Sequence, residues 1–273
     1  MAGFVPDDLT GVWRREIITA PGGYSDAVTR VFWLQTRSWY GDMRIGADRP
    51  APPGARGFAD MSDAELIGLA AQQGFAGELS ATSEVCLWRR DLDVQPPSAT
   101  PDEATYAVEG DRMVEDGIHS EYQEIWRLQP QSRGLLAAFR LAADDEAPGR
   151  DGLLLLAGDH FMEVLGRTGP LPAGASLAEI VAADLDAGRR AEAEARLSLR
   201  ICHGRITGGD APWRIALSTF PWLEGSSLWA GQGARVDVAS GALQHGARRW
   251  RTIDSSAPAE ELAGVFAASL GAS

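Results

Sequence analysis

Apolar and polar residues alternate along most of this 273-residue chain, and short groups of glycine, proline and aspartate interrupt the alternation. Successive side chains of a β-strand point to opposite faces of a sheet, so a period of two predicts strands with one buried face. The pattern predicts strands near residues 11–19, 27–37, 39–46, 76–81, 84–94, 104–109, 112–118 and 121–128, and again near 133–142, 151–157, 159–166, 195–206, 212–220, 234–239 and 246–253. The fold class is therefore mainly antiparallel β.

Two internal segments have the signals of a helix start instead. Ser62 is followed three residues later by Glu65, and Ser176 is followed by Glu179, which is the spacing of a capping box. Apolar residues at helical spacing follow each pair. We predict one internal helix in each half, over 62–73 and 176–190, and a short amphipathic helix near 257–269.

The two helices belong to a longer repeated order of features. A Pro/Gly loop, the helix and a closing Trp-Arg strand occur in both halves, with offsets of 114 residues from Glu65 to Glu179 and 124 from Trp126 to Trp250. A nearly constant offset is typical of tandem duplication, although chance similarity of Pro/Gly loops is an alternative. We predict an N-terminal domain over 1–130 and a C-terminal domain over 131–273, which carries the terminal helix.

The net negative charge of the chain limits which molecules it can bind. The chain has a net charge of −13 and a pI near 4.8, which opposes binding to phosphate backbones, so we expect no nucleic-acid partner. All 25 basic residues are arginine, which excludes lysine Schiff-base chemistry and the P-loop lysine. Residues 1–130 contain 21 acidic residues and 11 arginines, a net of −10.

Localisation follows from the apolar segments and the cysteines. The longest apolar run, 153–157, is far shorter than the roughly 18 residues of a membrane span, and the N-terminus lacks a secretion signal. Cys86 and Cys202 are the only cysteines, and we expect both to be reduced and buried. These features predict a cytoplasmic protein without a membrane partner; the oligomeric state stays open.

The segment Leu9-Thr10-Gly11-Val12-Trp13 resembles the Gly-x-Trp motif that opens the first barrel strand of lipocalins. The resemblance, taken to the calycin superfamily broadly, implies small antiparallel barrels that hold a small ligand. It also implies that Trp13 packs against an arginine of the last strand, for which Arg127 is suitably placed. The first strand of the second half, 134–139, lacks such a tryptophan. We expect two tandem calycin-like barrels, as in uncharacterised double-barrel members.

The strands of the first half carry more polar and aromatic residues than a dry core needs. If Trp33, Trp88 and Trp126 point inward, the neighbouring polar residues line the same cavity. The predicted ligand-binding residues are Trp33, Gln35, Arg37, Tyr40, Arg44, Trp88, Arg90, Tyr122 and Trp126. The alternative is that the tryptophans alone point inward and the charged residues face solvent.

Three functions remain open. The first is binding of a small, neutral or zwitterionic, partly aromatic molecule in the N-terminal barrel, with the more aliphatic C-terminal barrel as scaffold. The second is a cofactor-independent isomerase, hydratase or hydrolase, in which His119 is the general base and Glu124 or Asp42 orients it. The third is a protein-interaction module with filled barrels. The histidines lack metal-ligand spacing, so we expect neither metal nor cofactor.

Overall fold

The computed structural model describes residues 4–207, 212–229 and 234–267. It is mainly β, with four α-helices among these residues. The first half contains β1 (Gly11–Ala20), β2 (Tyr24–Asp26), β3 (Arg30–Gln35), β4 (Trp39–Ile45), α1 (Asp63–Ala70), β5 (Gln73–Ala81), β6 (Val85–Asp93), β7 (Asp102–Glu109), β8 (Arg112–Gly117) and β9 (Gln123–Leu128). The second contains β10 (Leu136–Asp144), β11 (Gly152–Ala157), β12 (His160–Leu165), α2 (Leu177–Asp186), α3 (Arg190–Arg196), β13 (Arg200–Arg205), β14 (Arg214–Ser218), β15 (Arg235–Asp237), β16 (Ala242–His245), β17 (Arg248–Ser255) and α4 (Ala259–Ala267).

The first sheet closes into an eight-stranded antiparallel barrel. Its order is β1-β3-β4-β5-β6-β7-β8-β9, β1 pairs with β9 to complete the ring, and β2 adds to the end of β1. Alternate residues of these strands point inward and fill one end of the barrel with a core that includes Trp13, Trp33, Trp126, Leu79 and Met113. A barrel of eight strands has an interior just wide enough for such side chains or for one small ligand.

The N-terminal segment closes that filled end. Val5 donates its backbone N–H to the Arg37 carbonyl at 2.8 Å, and the indole of Trp13 donates to the Leu9 carbonyl at 2.8 Å. Trp13 therefore lies at the barrel floor. The expected contact with Arg127 is wrong, because that side chain faces outward and pairs with Glu16 and Asp111.

The second sheet repeats the strand order of the first but stays open among the described residues. Its order is β14-β13-β12-β11-β10-β17-β16-β15, and no pairing between described residues joins the edge strands β14 and β15. Phe266 of α4 packs into its concave face, 5.0 Å from the Trp213 ring and 5.7 Å from the Phe139 ring. Two tandem barrels are thus not confirmed, and the duplication stays a prediction.

Both predicted capping boxes are confirmed, at Ser62 with Glu65 and at Ser176 with Glu179. The second predicted helix is two helices, because the chain turns at Gly188, where φ is +71°. The structure therefore has α2 and α3 where the sequence predicted one helix over 176–190. Residues 268 and 269 of the predicted C-terminal helix lie outside the described residues.

The two sheets share one apolar core. The outward faces of β3 and β4 pack on β11 and β12, with Leu34, Met43, Leu155 and Met162 all buried between them. A Cβ on Gly41 would lie 2.6 Å from the Met162 sulfur, so glycine allows the close approach of the sheets here. Helices α1 and α2 cover one end of this core. Both cysteines are free and buried, as expected.

Candidate functional site

The end of the barrel opposite the floor opens into a cavity of about 990 Å³, which we call the mouth cavity. Inward-facing residues of β4, β6 and β9 form its inner wall, which Ile18 of β1 completes. The cavity also extends over the rim of the barrel onto the outward-facing side of β5 and β6, at Glu78, Ser80, Leu87, Arg89 and Asp91. The loops 97–102 and 166–171 form the outer wall. The second half therefore contributes to the cavity and is more than a remote scaffold.

Aromatic rings separate the mouth cavity from the filled end of the barrel. The Trp33 ring contacts Trp88 edge to face at 5.6 Å and Trp126 at 6.0 Å. Trp88 lines the cavity, whereas Trp33 and Trp126 lie beneath it and are almost completely buried. Nearby, the Arg90 guanidinium lies 3.5 Å from the centroid of the Phe75 ring. Such rings offer a ligand flat apolar contacts.

A buried ion network crosses the inner wall. Arg15 donates to Glu124 at 2.8 Å and to Asp26 at 2.9 Å, and its side chain is 5 % exposed. Arg44 pairs with Asp42 at 2.8 Å and lies 3.8 Å from Glu124. The Glu124 Oε2 atom is buried and has no hydrogen-bond partner among the residues that the structure describes. A buried acceptor without a donor is costly, so a donor that reaches this oxygen would be stabilising.

Glu115 lies opposite Glu124 on the neighbouring strand β8. Burial raises the pKa of Glu115 well above its usual value, and the negative charge of Glu124 raises it further. Tyr122 donates to Glu115 at 3.0 Å, and burial together with Glu115 raises the pKa of the tyrosine hydroxyl. Glu115 therefore retains its proton above the ordinary pH range of a glutamate.

A β-bulge places the next charged group. The register between β5 and β6 shifts after Ala76, so that Gly77 lies opposite Arg90 and Ala76 opposite Leu92. This extra residue lets Leu92 face the shared core while Arg90 lines the mouth cavity. Arg90 is held by Asp102 at 2.6 Å and by Asp93 at 3.3 Å.

Arg167, from the second half, fastens the outer wall to the barrel. Its guanidinium donates to the carbonyl oxygens of Asp93 at 2.8 Å, Val94 at 2.9 Å and Arg196 at 3.0 Å. Burial lowers the pKa of Arg167 to about 10. These three bonds fix the position of the loop 166–171 over the end of β6.

Most of the predicted site residues lie in or directly beneath the mouth cavity. Trp88, Arg90, Arg44, Tyr122 and Glu124 line it, and Asp42 holds Arg44. Trp33, Gln35, Tyr40 and Trp126 are buried below: the Trp33 indole donates to Gln35 at 3.1 Å, and the Tyr40 hydroxyl lies 3.4 Å from the Arg89 carbonyl.

Two predicted residues lie elsewhere. His119 is in the surface loop before β9, where its Nε2 lies 2.9 Å from Glu103, and it does not line the mouth cavity. Arg37 follows the end of β3 and joins the two halves by binding Asp254 and the Ser255 carbonyl. Their placement in the cavity was wrong, because neither residue belongs to a strand.

Sequence reasoning missed three contributors to this region. Arg15 is two residues after Trp13 and could have been found by extending the alternation of β1. Glu115 alternates with Met113 on β8 in the same way. Arg167 had no such signal, because only the packing of the two halves brings it to β6.

Comparison with known proteins supports the fold alone. No protein-family model and no curated protein matches the chain. The crystal structure of the uncharacterized protein YLR301w from Saccharomyces cerevisiae is similar, with a TM-score of 0.59 over 90 % of this chain and 99 % of that one. The sequences are 13 % identical, so the similarity concerns the fold and not the cavity residues.

Within the described residues, no helix is both long and apolar enough to span a bilayer. The same residues contain no group of three or more histidine, cysteine, aspartate or glutamate side chains placed to hold a metal ion. The mouth cavity itself presents aromatic rings, arginines and carboxyl groups.

Proposed function

We propose that this protein binds a small, partly aromatic, neutral or zwitterionic molecule in the mouth cavity, in the manner of the calycins that its Gly11-Val12-Trp13 motif resembles. The observation that carries the proposal is the division of the barrel interior. One end is filled with tryptophans, and the other opens into a cavity of about 990 Å³ whose inner wall is charged. This volume is at the upper end of the roughly 300–1,000 Å³ typical of ligand pockets.

The lining supports binding because it combines apolar surface with a few fixed polar groups. Trp88 and Ile18 offer apolar contact, and Arg44 and Glu124 offer a donor and an acceptor held by neighbouring side chains. Side chains that are already held lose little conformational freedom when a ligand binds. An interaction module with filled barrels would need no such cavity.

The enzymatic alternative is less well supported. It requires His119 beside Glu124 or Asp42, but His119 pairs with Glu103 at the surface. Asp42 is occupied by Arg44, and Glu124 by Arg15. No contact among the described residues joins the three groups into an acid–base arrangement.

The cavity can be filled by a single substitution with a matched control. Ile18 lies opposite Glu124 and lines the mouth cavity, whereas Ile17 lies opposite Ile125 on the other face of β1. We expect Ile18→Trp to weaken ligand binding at least tenfold, because the indole occupies the inner end of the cavity, and Ile17→Trp to leave binding unchanged.

Ligand-observed NMR with a library of aryl-alkyl fragments measures this difference, and native mass spectrometry of the purified protein detects a co-purifying ligand. The proposal is contradicted if Ile18→Trp binds every fragment as well as the wild type. It also fails if the wild-type protein binds no fragment and carries no added mass.

A further inference from the structure

We propose that the ligand carries a protonated nitrogen, in an amine, amidine or guanidine group joined to an aromatic ring, and that Glu124 binds this cation at the inner end of the mouth cavity. The inference rests on the proposed function and narrows its ligand class from neutral or zwitterionic molecules to those with a cationic group. It depends on three features of the cavity.

The first feature is the unpartnered oxygen of Glu124. The residue is 1 % exposed and lines the mouth cavity, and its Oε1 atom accepts the bond from Arg15 at 2.8 Å. The Oε2 atom has no partner among the described residues. A carboxylate oxygen accepts hydrogen bonds only, so the group that satisfies it must be a donor, and a charged donor binds most strongly.

The second feature is the excess of carboxyl groups. Two arginines, Arg15 and Arg44, face four carboxyl groups around the inner wall, namely Asp26, Asp42, Glu115 and Glu124. Burial is the main cause of the raised pKa of Glu115, and the negative charge of Glu124 adds to it, in agreement with this excess. A ligand cation supplies the missing charge beside both glutamates.

The third feature is that the arginines of the wall are engaged. Arg44 binds Asp42; Arg89 binds Glu78 and Asp91; Arg90 binds Asp93 and Asp102; Arg167 binds three carbonyl oxygens. An anionic ligand would therefore have to displace existing partners. The net charge of −10 over residues 1–130 also attracts cations and repels anions at long range.

Three probes of one shape test the charge of the ligand: 2-phenylethylamine, 2-phenylethanol and 3-phenylpropionate. Their affinities for the wild-type protein are measured by saturation-transfer NMR at pH 7. We expect the amine to bind at least tenfold more tightly than the alcohol, and the carboxylate most weakly. Glu124→Gln, which keeps the shape of the side chain, is expected to weaken amine binding about tenfold, because a charge-assisted hydrogen bond is replaced by a neutral one.

Glu109→Gln on β7 is the control, because it removes the same charge from an exposed position of the same barrel. Thermal unfolding checks that both variants are folded. If Glu124→Gln does not fold, the comparison of the three probes on the wild-type protein decides the inference without it.

The outcomes separate the inference from the proposed function. Suppose that Ile18→Trp abolishes binding, but the amine and the alcohol bind equally or Glu124→Gln leaves amine binding unchanged. The inference of a cationic ligand is then wrong, and the proposed function stands. Binding of all three probes that Ile18→Trp does not affect overturns the proposed function. Failure of the three probes and of their naphthyl and indolyl homologues to bind the wild-type protein overturns both.

Discussion

Replacing Arg15 by methionine is expected to lower the free energy of unfolding by about 3–5 kcal/mol, because it leaves a buried carboxylate without its cation. Arg15 is the direct partner of Glu124 and also binds Asp26. Arg44 lies 3.8 Å from Glu124 and replaces only part of the lost interaction. Urea unfolding at pH 7, followed by tryptophan fluorescence, measures the change.

Two further variants show whether the loss comes from the unpaired charge. Arg127→Met, on the outer face of β9, removes an arginine whose pairs are exposed, and we expect little measurable change. Arg15→Met combined with Glu124→Met removes both charges, and we expect it to regain most of the stability. If Arg15→Met alone is as stable as the wild type, the ion network does not hold the inner wall together.

The stability of the protein is expected to fall by about 2 kcal/mol between pH 7 and pH 5 through His203 alone. This side chain is stacked on Phe32 at 4.6 Å and on His160 at 5.6 Å, where the two sheets meet. Burial, together with smaller contributions from the charges of His160 and Arg205, lowers the pKa of His203 from 6.5 to about 3. His203 is protonated below about pH 6.5 in the unfolded chain but only below about pH 3 in the folded chain.

Stability is therefore lost as the pH falls through this window. His203→Phe keeps the stacked ring and removes the titration, so its unfolding free energy should change about 2 kcal/mol less between pH 7 and pH 5 than that of the wild type. Equal pH dependence in the wild type and His203→Phe would show that His203 is not buried in its neutral form.

The sequence predicted the features that depend on local patterns. Both capping boxes form, and the strand alternation places Trp33, Trp88 and Trp126 inside the barrel. Five of the residues predicted for the site line the mouth cavity, because each belongs to, or directly precedes, a strand whose alternation could be followed.

The errors arise where alternation ends or shifts. His119 and Arg37 lie just outside the strands, so the alternation of inward and outward side chains does not predict where they point. The last-strand arginine expected at the barrel floor was the wrong residue, since Trp126 points inward and Arg127 outward. The bulge between Arg15 and Ile17 had no sequence signal, although it decides that Ile18 lines the cavity.

The sequence pattern also could not predict which of the two sheets closes into a barrel. In both halves the first strand pairs with the last, β1 with β9 and β10 with β17. The halves differ at two successive strands: β6 pairs with β7, whereas the described part of the second half lacks the pairing between β14 and β15. The alternation is similar in both halves and does not show whether two successive strands pair. Arg167 is likewise placed by the packing of one half on the other.

The nine tryptophans allow the central claim, that the mouth cavity is the ligand site, to be tested in one spectrum. Trp88 lines the cavity, Trp33 and Trp126 lie beneath it, and Trp213, Trp229 and Trp250 lie in the core of the second sheet. Titration of the ¹⁵N-labelled protein with a binding fragment, with the indole signals assigned by single Trp→Phe variants, reports which rings the ligand approaches. We predict that the Trp88 signal moves most, that those of Trp33 and Trp126 move less, and that those of Trp213, Trp229 and Trp250 do not move. Shifts confined to the last three would contradict the account.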